Sequence, residues 1–134
     1  MRHVLVLAFI TVATGMTFAQ SSKQFIPGAN PSLPFSAAVK ADGLIYVSGT
    51  LGSSGDVKAQ TKQVLDNINA TLKSAGSSLA NAASMTVYLK NQSDFAAMNE
   101  VYREHLSAPY PARTAIAVAA LPLGAVVEFD AIAS

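Results

Sequence analysis

The 134-residue chain contains no cysteine. That excludes disulfides, thiolate metal ligands and cysteine nucleophiles, so a domain built from it relies on its apolar core or on surface buried between subunits. Histidine is nearly as scarce: His3 and His105 are the only two, too few for a zinc site in any ordinary ligand set. Charged residues make up 13% of the chain against 51% hydrophobic, which suits one domain with ample core material. A phosphate-binding loop, a dinucleotide glycine fingerprint and a nucleophile elbow are all missing.

Part of the apolar bias lies at the start. Met1-Arg2-His3 is basic, Val4 to Ala13 is apolar apart from Thr11, and Thr17-Phe18-Ala19 supplies a small residue before Gln20. A basic start, a short apolar run and a small-residue cut site are the anatomy of a secretory signal peptide. The run is too short to span a bilayer comfortably and breaks at Gly15. The expectation is a cleaved leader over residues 1–19 and a single domain over residues 20–134, exported to the periplasm or the medium with no membrane attachment. Arg2 leaves with the leader, so eight Lys and Arg then face eight Asp and Glu. A neutral chain does not collect phosphate backbones, and nucleic acid is not an expected partner.

Ser21 to Pro34 is rich in Ser, Pro, Gly and Asn and reads as an irregular arm, with room for a short strand at Gln24-Phe25-Ile26. Phe35 to Lys40 and Leu44 to Gly49 read as strands, joined by a tight Asp42-Gly43 turn. A helix is predicted from Val57 to Ala75, with Val64, Leu65, Ile68 and Leu72 on one face and Gly76 where a terminating glycine belongs. Lys58, Lys62, Asp66, Asn69 and Lys73 form its solvated face. Ala83 to Lys90 alternates as a strand. Ser93 or Asp94 caps a second helix, Phe95 to Leu106, whose buried stripe is Phe95, Met98, Val101 and Tyr102. His105 at its end suits the helix dipole and reads as a surface residue. Strands at Arg113–Ala120 and Ala125–Ala131 flank a turn at Leu121 to Gly124.

The predicted order, β-β-α-β-α-β-β, gives a two-layer α+β domain with two helices on one face of a single mixed sheet. Ile116, Val118, Val126 and Leu44 make the strands apolar on both faces, so the uncovered face predicts burial by another subunit.

Arg113 is one of three arginines and opens a run, Ala115 to Val127, that has no ionisable side chain. Glu128 closes it. A guanidinium and a carboxylate in such sequence are costly to bury unless paired or used. Arg113 offers a planar fork for a carboxylate ligand, and Glu128 can move a proton if its surroundings raise its pKa. A structural ion pair or an intersubunit contact accounts for the same residues. Ser48 follows a strand but has no histidine to activate it, and reads as a hydroxyl that hydrogen-bonds ligand or backbone.

Several ordered blocks carry a resemblance. Leu44-Ile45-Tyr46-Val47-Ser48-Gly49, Ala59-Gln60-Thr61, Gln63-Val64-Leu65-Asp66-Asn67-Ile68, Phe95 to Tyr102, Pro111-Ala112-Arg113-Thr114, Leu121-Pro122 and Val127 to Ala133 resemble the RidA/YjgF family of reactive-intermediate deaminases. The resemblance implies a chorismate-mutase-like homotrimer with sites at subunit interfaces. It also implies hydrolysis of small enamine or imine acids, of the 2-aminoacrylate type, to a 2-keto acid and ammonia, with no cofactor and no metal. By the same resemblance Arg113 clamps the substrate carboxylate, Glu128 positions or activates water, Ser48 and Asn99 are polar site residues, and Ala115 supplies a main-chain carbonyl. Phe35 stands where a typical member has tyrosine, so the ring is kept and the phenol hydroxyl is lost. The Gly49 to Gln60 connection is shorter than usual. Two other readings use the same residues: a non-catalytic trimeric module that binds small carboxylates through Arg113, and a structural trimer.

Overall fold

The computed structural model describes residues 22–134, so the leader expected over residues 1–19 lies outside the described residues. Six strands and two helices follow in the order β1 (Gln24–Ile26), β2 (Ala38–Ala41), β3 (Leu44–Leu51), α1 (Val57–Ser74), β4 (Ala82–Leu89), α2 (Phe95–His105), β5 (Ala112–Ala117) and β6 (Val127–Ala133). They form one mixed sheet in the order β1-β2-β3-β6-β4-β5. Every neighbouring pair is antiparallel except β4 and β5. Both helices lie on one face, α1 over β3 and β6 with α2 packed beside it. The α+β class and single mixed sheet read from the sequence are the ones observed.

Local chemistry explains each element. Asp42 and Gly43 both take positive φ, 52° and 78°, and close the two-residue turn that pairs Ala41 with Leu44. Asp56 caps α1 by accepting the Ala59 amide at 2.9 Å. At the other end Gly76, with φ 85°, lets its own amide donate to the Lys73 carbonyl and the Ser77 amide to the Leu72 carbonyl, the paired bonds of a Schellman motif. Val64, Leu65, Ile68 and Leu72 are buried beneath that helix. Period-two burial governs the central strands: Met85, Val87 and Leu89 of β4 and Val127, Phe129, Ala131 and Ala133 of β6 point into the core.

Buried Gln60 joins the layers. Its amide donates to the Gly55 carbonyl at 3.1 Å and its Oε1 accepts the Val126 amide at 2.9 Å. A side chain on Gly52 would overlap Gln60, with a Cβ only 2.4 Å from the Gln60 Cβ.

The elements depart from the sequence reading at six places. Phe35 precedes its strand, because Pro34 lacks an amide donor and the ladder begins where the Ala37 amide reaches Ile26 and the Ala37 carbonyl receives Ser48. Gly49 does not end β3; it lies at a bulge between Val47 and Thr50, and the strand continues to Leu51. A short 3-10 turn, Gln92–Asp94, leads into α2, and Asp94 makes no capping bond with its side chain. Phe95 is 43% exposed rather than buried; it stands over β5, the edge of the sheet, beyond which no further strand covers it. His105 is mostly covered and links the helices, with Nε2 3.1 Å from Asp66 Oδ1 and Nδ1 2.9 Å from the Val101 carbonyl.

The sixth departure is the uncovered face. Val118 and Val126 fall outside the strands, since the turn at Pro122–Gly124, with positive φ at Leu123 and Gly124, separates β5 from β6. The register puts Tyr46, Ile132 and Ser84 in one row, Asp130, Thr86 and Thr114 in the next, and Glu128, Tyr88 and Ile116 in the third. The face is therefore a mixture of rings, hydroxyls and two carboxylates rather than apolar throughout.

Candidate functional site

The chain leaves α2 through a bend at Ala108–Pro109, whose peptide bond is cis, and β5 then joins the sheet as its edge. Arg113 pairs in register with Met85 and Ala115 with Val87. Both therefore lie on the helix side. The Arg113 Nη1 donates to Asn99 Oδ1 at 2.7 Å. Its guanidinium carbon lies 4.6 Å from the centre of the Tyr102 ring and 5.7 Å from that of Phe95, within cation–π range. This packing fixes the fork and leaves most of its donors open, the arrangement a carboxylate ligand needs. A cleft of about 310 Å³ opens beside it, lined by Phe95, Asn99, Tyr102, Arg103 and Tyr110.

The Val118 amide bonds to the Leu89 carbonyl. Alternation along a parallel pair then turns the Ala115 amide and carbonyl away from β4, toward the open edge. Ala115 lines an adjoining hollow with Phe95 and Ile116. The main-chain carbonyl assigned to Ala115 is thus available.

Glu128 lies elsewhere. It pairs in register with Tyr88, one residue out of phase with the core-facing Val87 and Phe129, so it points to the uncovered face. Arg113 and Glu128 occupy opposite faces of one sheet and do not meet within a protomer. The alternative account of these residues as an ion pair within the chain is thereby excluded. Among the described residues the ion pairs are Lys58–Glu100, Lys62–Asp66 and His105–Asp66. Partial burial raises the Glu128 pKa above the ordinary carboxylate value, and the nearby Asp130 charge adds to that.

The β3 bulge makes room for this carboxylate. A Cβ on Gly49 would sit 2.1 Å from Glu128 Oε1. Beside it, Ser48 Oγ donates to the Ser36 carbonyl at 2.7 Å, which occupies its proton and leaves its lone pairs free. Phe35 is 55% exposed and lines a second cleft of about 260 Å³ with Leu33, Ser48 and Gly49. The predicted residues therefore sort into two groups: Arg113, Asn99 and Ala115 on the helix side of the edge strand, and Phe35, Ser48 and Glu128 about the β3 bulge.

Sequence reasoning missed Gly49, Arg103 and the ring contact of Tyr102 on Arg113. Helix spacing carries a signal for two of them. Phe95, Asn99 and Arg103 recur every four residues, and Tyr102 is three beyond Asn99, so one α2 stripe faces β5. The role of Gly49 depends on a bulge, for which the sequence has no marker beyond the glycine itself.

A mixed sheet with two helices on one face is the chorismate-mutase-like arrangement of YjgF proteins. The chain belongs to the RidA/YjgF family: the family pattern described as Endoribonuclease L-PSP matches residues 27–134. It is 44% identical over 108 residues to a 2-iminobutanoate/2-iminopropanoate deaminase of Capra hircus, covering 75% of this chain and 79% of the relative. The protein of the same name in Homo sapiens is 40% identical over 108 residues, with the same coverage. Among solved structures, RidA from the Antarctic bacterium Psychrobacter sp. PAMC 21119 superposes with a TM-score of 0.75 at 43% identity, covering 81% of this chain and 92% of that one.

Proposed function

We propose that the chain is an enzyme that hydrolyses small 2-imino and enamine acids, of the 2-aminoacrylate and 2-iminopropanoate type, to 2-keto acids and ammonia. We further propose that it works as a homotrimer, with the Arg113 half-site of one subunit facing the Glu128 half-site of the next. The observation that carries this reading is the placement of Arg113 and Glu128 on opposite faces of one sheet. Neither half can act alone, whereas association through the uncovered face and the β5 edge can join them. The names of the relatives supply the reaction class.

An imine carbon is already electrophilic, so hydrolysis needs binding, a positioned water and proton transfer, and no metal or organic cofactor. Arg113, held by Asn99 and Tyr102, grips the substrate carboxylate. Glu128 takes a proton from water as its oxygen bonds to the imine carbon. That proton passes to nitrogen to give a carbinolamine; Glu128 then takes the hydroxyl proton as the carbonyl forms and delivers it to nitrogen as the carbon–nitrogen bond breaks, so imino acid and water become keto acid and ammonia. A pKa raised toward the working pH makes Glu128 a better proton carrier. The Ala115 carbonyl accepts a hydrogen bond from the nitrogen, and Ser48 offers a lone pair. Phe35 contributes a ring wall but no hydroxyl.

The family description as an endoribonuclease names another activity. Equal numbers of acidic and basic residues from Gln20 onward give the chain no basic footprint for RNA, and the proposed partners are small carboxylates and other copies of the chain. Export with loss of residues 1–19 belongs to the same proposal and is tested by the N-terminal sequence of protein recovered from periplasm or medium.

The missing hydroxyl at Phe35 favours one alternative, a trimeric module that binds carboxylates without turning them over. One experiment separates the two. Imines are generated from alanine by an amino-acid oxidase, their lifetime is followed by semicarbazide trapping, and wild type is compared with Arg113→Ala, with assembly checked by light scattering. Shortened lifetimes with wild type, abolished in an assembled Arg113→Ala, support hydrolysis. Carboxylate binding with unchanged lifetimes supports the module.

A further inference from the structure

The proposed leader carries Arg2, and the other two arginines, Arg103 and Arg113, both line the 310 Å³ cleft. Among the described residues neither is in an ion pair with a carboxylate. Glu100, three residues before Arg103, is engaged by Lys58 and feels the Arg103 charge only through space. The cleft thus holds two guanidinium groups outside any ion pair, and a single ligand carboxylate neutralises at most one of them. Phe95, Tyr102 and Tyr110 line the same cleft, apolar surfaces suited to a short hydrocarbon spacer. The volume is at the small end of ligand pockets.

Resting on the hydrolytic reading, we infer that the preferred substrates are the imines of acidic amino acids: Arg113 holds the 2-carboxylate and Arg103 the carboxylate at the far end of the side chain. Arg103 is a specificity residue, taking no part in the bond changes. Its place four residues beyond Asn99 puts the second cation on the same helix stripe as the residue that orients the first. An apolar side chain would use the rings and leave the Arg103 charge without a partner.

Two measurements test this on wild type and Arg103→Gln, a change at an exposed position. The first compares kcat/KM for imines generated from aspartate, alanine and phenylalanine. Wild type is expected to favour the aspartate imine, and Arg103→Gln to lower the aspartate-to-alanine ratio about tenfold, the size of one well-placed charge contact (~1.4 kcal/mol). The second titrates succinate and propionate calorimetrically. Succinate is expected to bind about tenfold tighter than propionate, and the substitution to close that gap. A ratio unmoved by Arg103→Gln, or a preference for the phenylalanine imine, overturns the inference. If no imine is hydrolysed while succinate still outbinds propionate through Arg103, the hydrolytic reading falls and the dicarboxylate site stands. If the alanine imine is hydrolysed and succinate has no advantage, the reverse holds.

Discussion

The bulge glycine of β3 offers the sharpest test of where Glu128 must be. In Gly49→Ala the new Cβ would lie 2.1 Å from Glu128 Oε1 and 3.2 Å from its Cδ. Relief of that overlap requires the carboxylate to move by about 1 Å, to a separation of 3 Å or more, by rotation of its flexible stem. Gly49 is not among the residues with positive φ, so alanine fits the backbone without strain and gains up to about 1 kcal/mol from the unfolded chain. The substitution therefore separates position from stability. A misplacement of about 1 Å at a reacting group lowers rates roughly a hundredfold. The expected result is a fall of about that size in kcat/KM for imine hydrolysis, with an unfolding midpoint within a few degrees of wild type and unchanged assembly. Wild-type kcat/KM in a folded Gly49→Ala would refute the view that the carboxylate must stand over the bulge. A collapse of stability would refute the view that the overlap falls on a movable side chain.

Glu128→Gln keeps the shape and removes the proton carrier, and kcat is expected to fall by about 10²–10⁴. Because the folded protein binds that proton more tightly than the unfolded chain does, the stabilisation is present below the unfolded value near 4.5 and is lost as pH rises through the raised folded pKa. Wild type should therefore lose stability relative to Glu128→Gln as pH climbs through that window, and the opposite slope in paired denaturation curves would contradict a raised pKa. Phe129→Ala empties a fully buried position in the central strand and is expected to cost about 3–5 kcal/mol in urea unfolding. A loss below 1 kcal/mol would mean that the core closes around the gap.

Local chemistry made much of the fold legible. The Asp42-Gly43 turn, the span of α1 with its glycine stop, and the alternation of β4 each rest on residues close in sequence, and each is observed within a residue or two. The side of the sheet on which Arg113 and Glu128 lie is a different kind of fact. Alternation says that Arg113 and Ala115 share a face; it takes the β4 register with both β5 and β6 to show that Glu128 is on the other. Register is set by core packing across strands distant in the chain, and a shift of one residue would exchange the faces. The same limit applies to Phe95, whose apolar ring fits a buried helical stripe. Its exposure follows from its place over β5 at the edge of the sheet, which no pattern inside α2 encodes. The ordered blocks of family resemblance pointed to the family and its fold because they retain information about those distant contacts.

Gln60 has a consequence for how the chain can vary. Its single amide fastens the Gly55 turn and the Val126 amide to α1, and so it braces the two segments that approach Glu128 from either side, Leu51–Gly52 and Val126–Val127. The carboxylate is thereby indexed to the helix layer, like a tool post bolted to the bed of a lathe, and not to the span of chain between. Ser53 and Ser54 can then be lengthened, shortened or recomposed without moving the working end, whereas loss of one amide would release both supports together, freeing the Gly55 carbonyl and the Val126 amide.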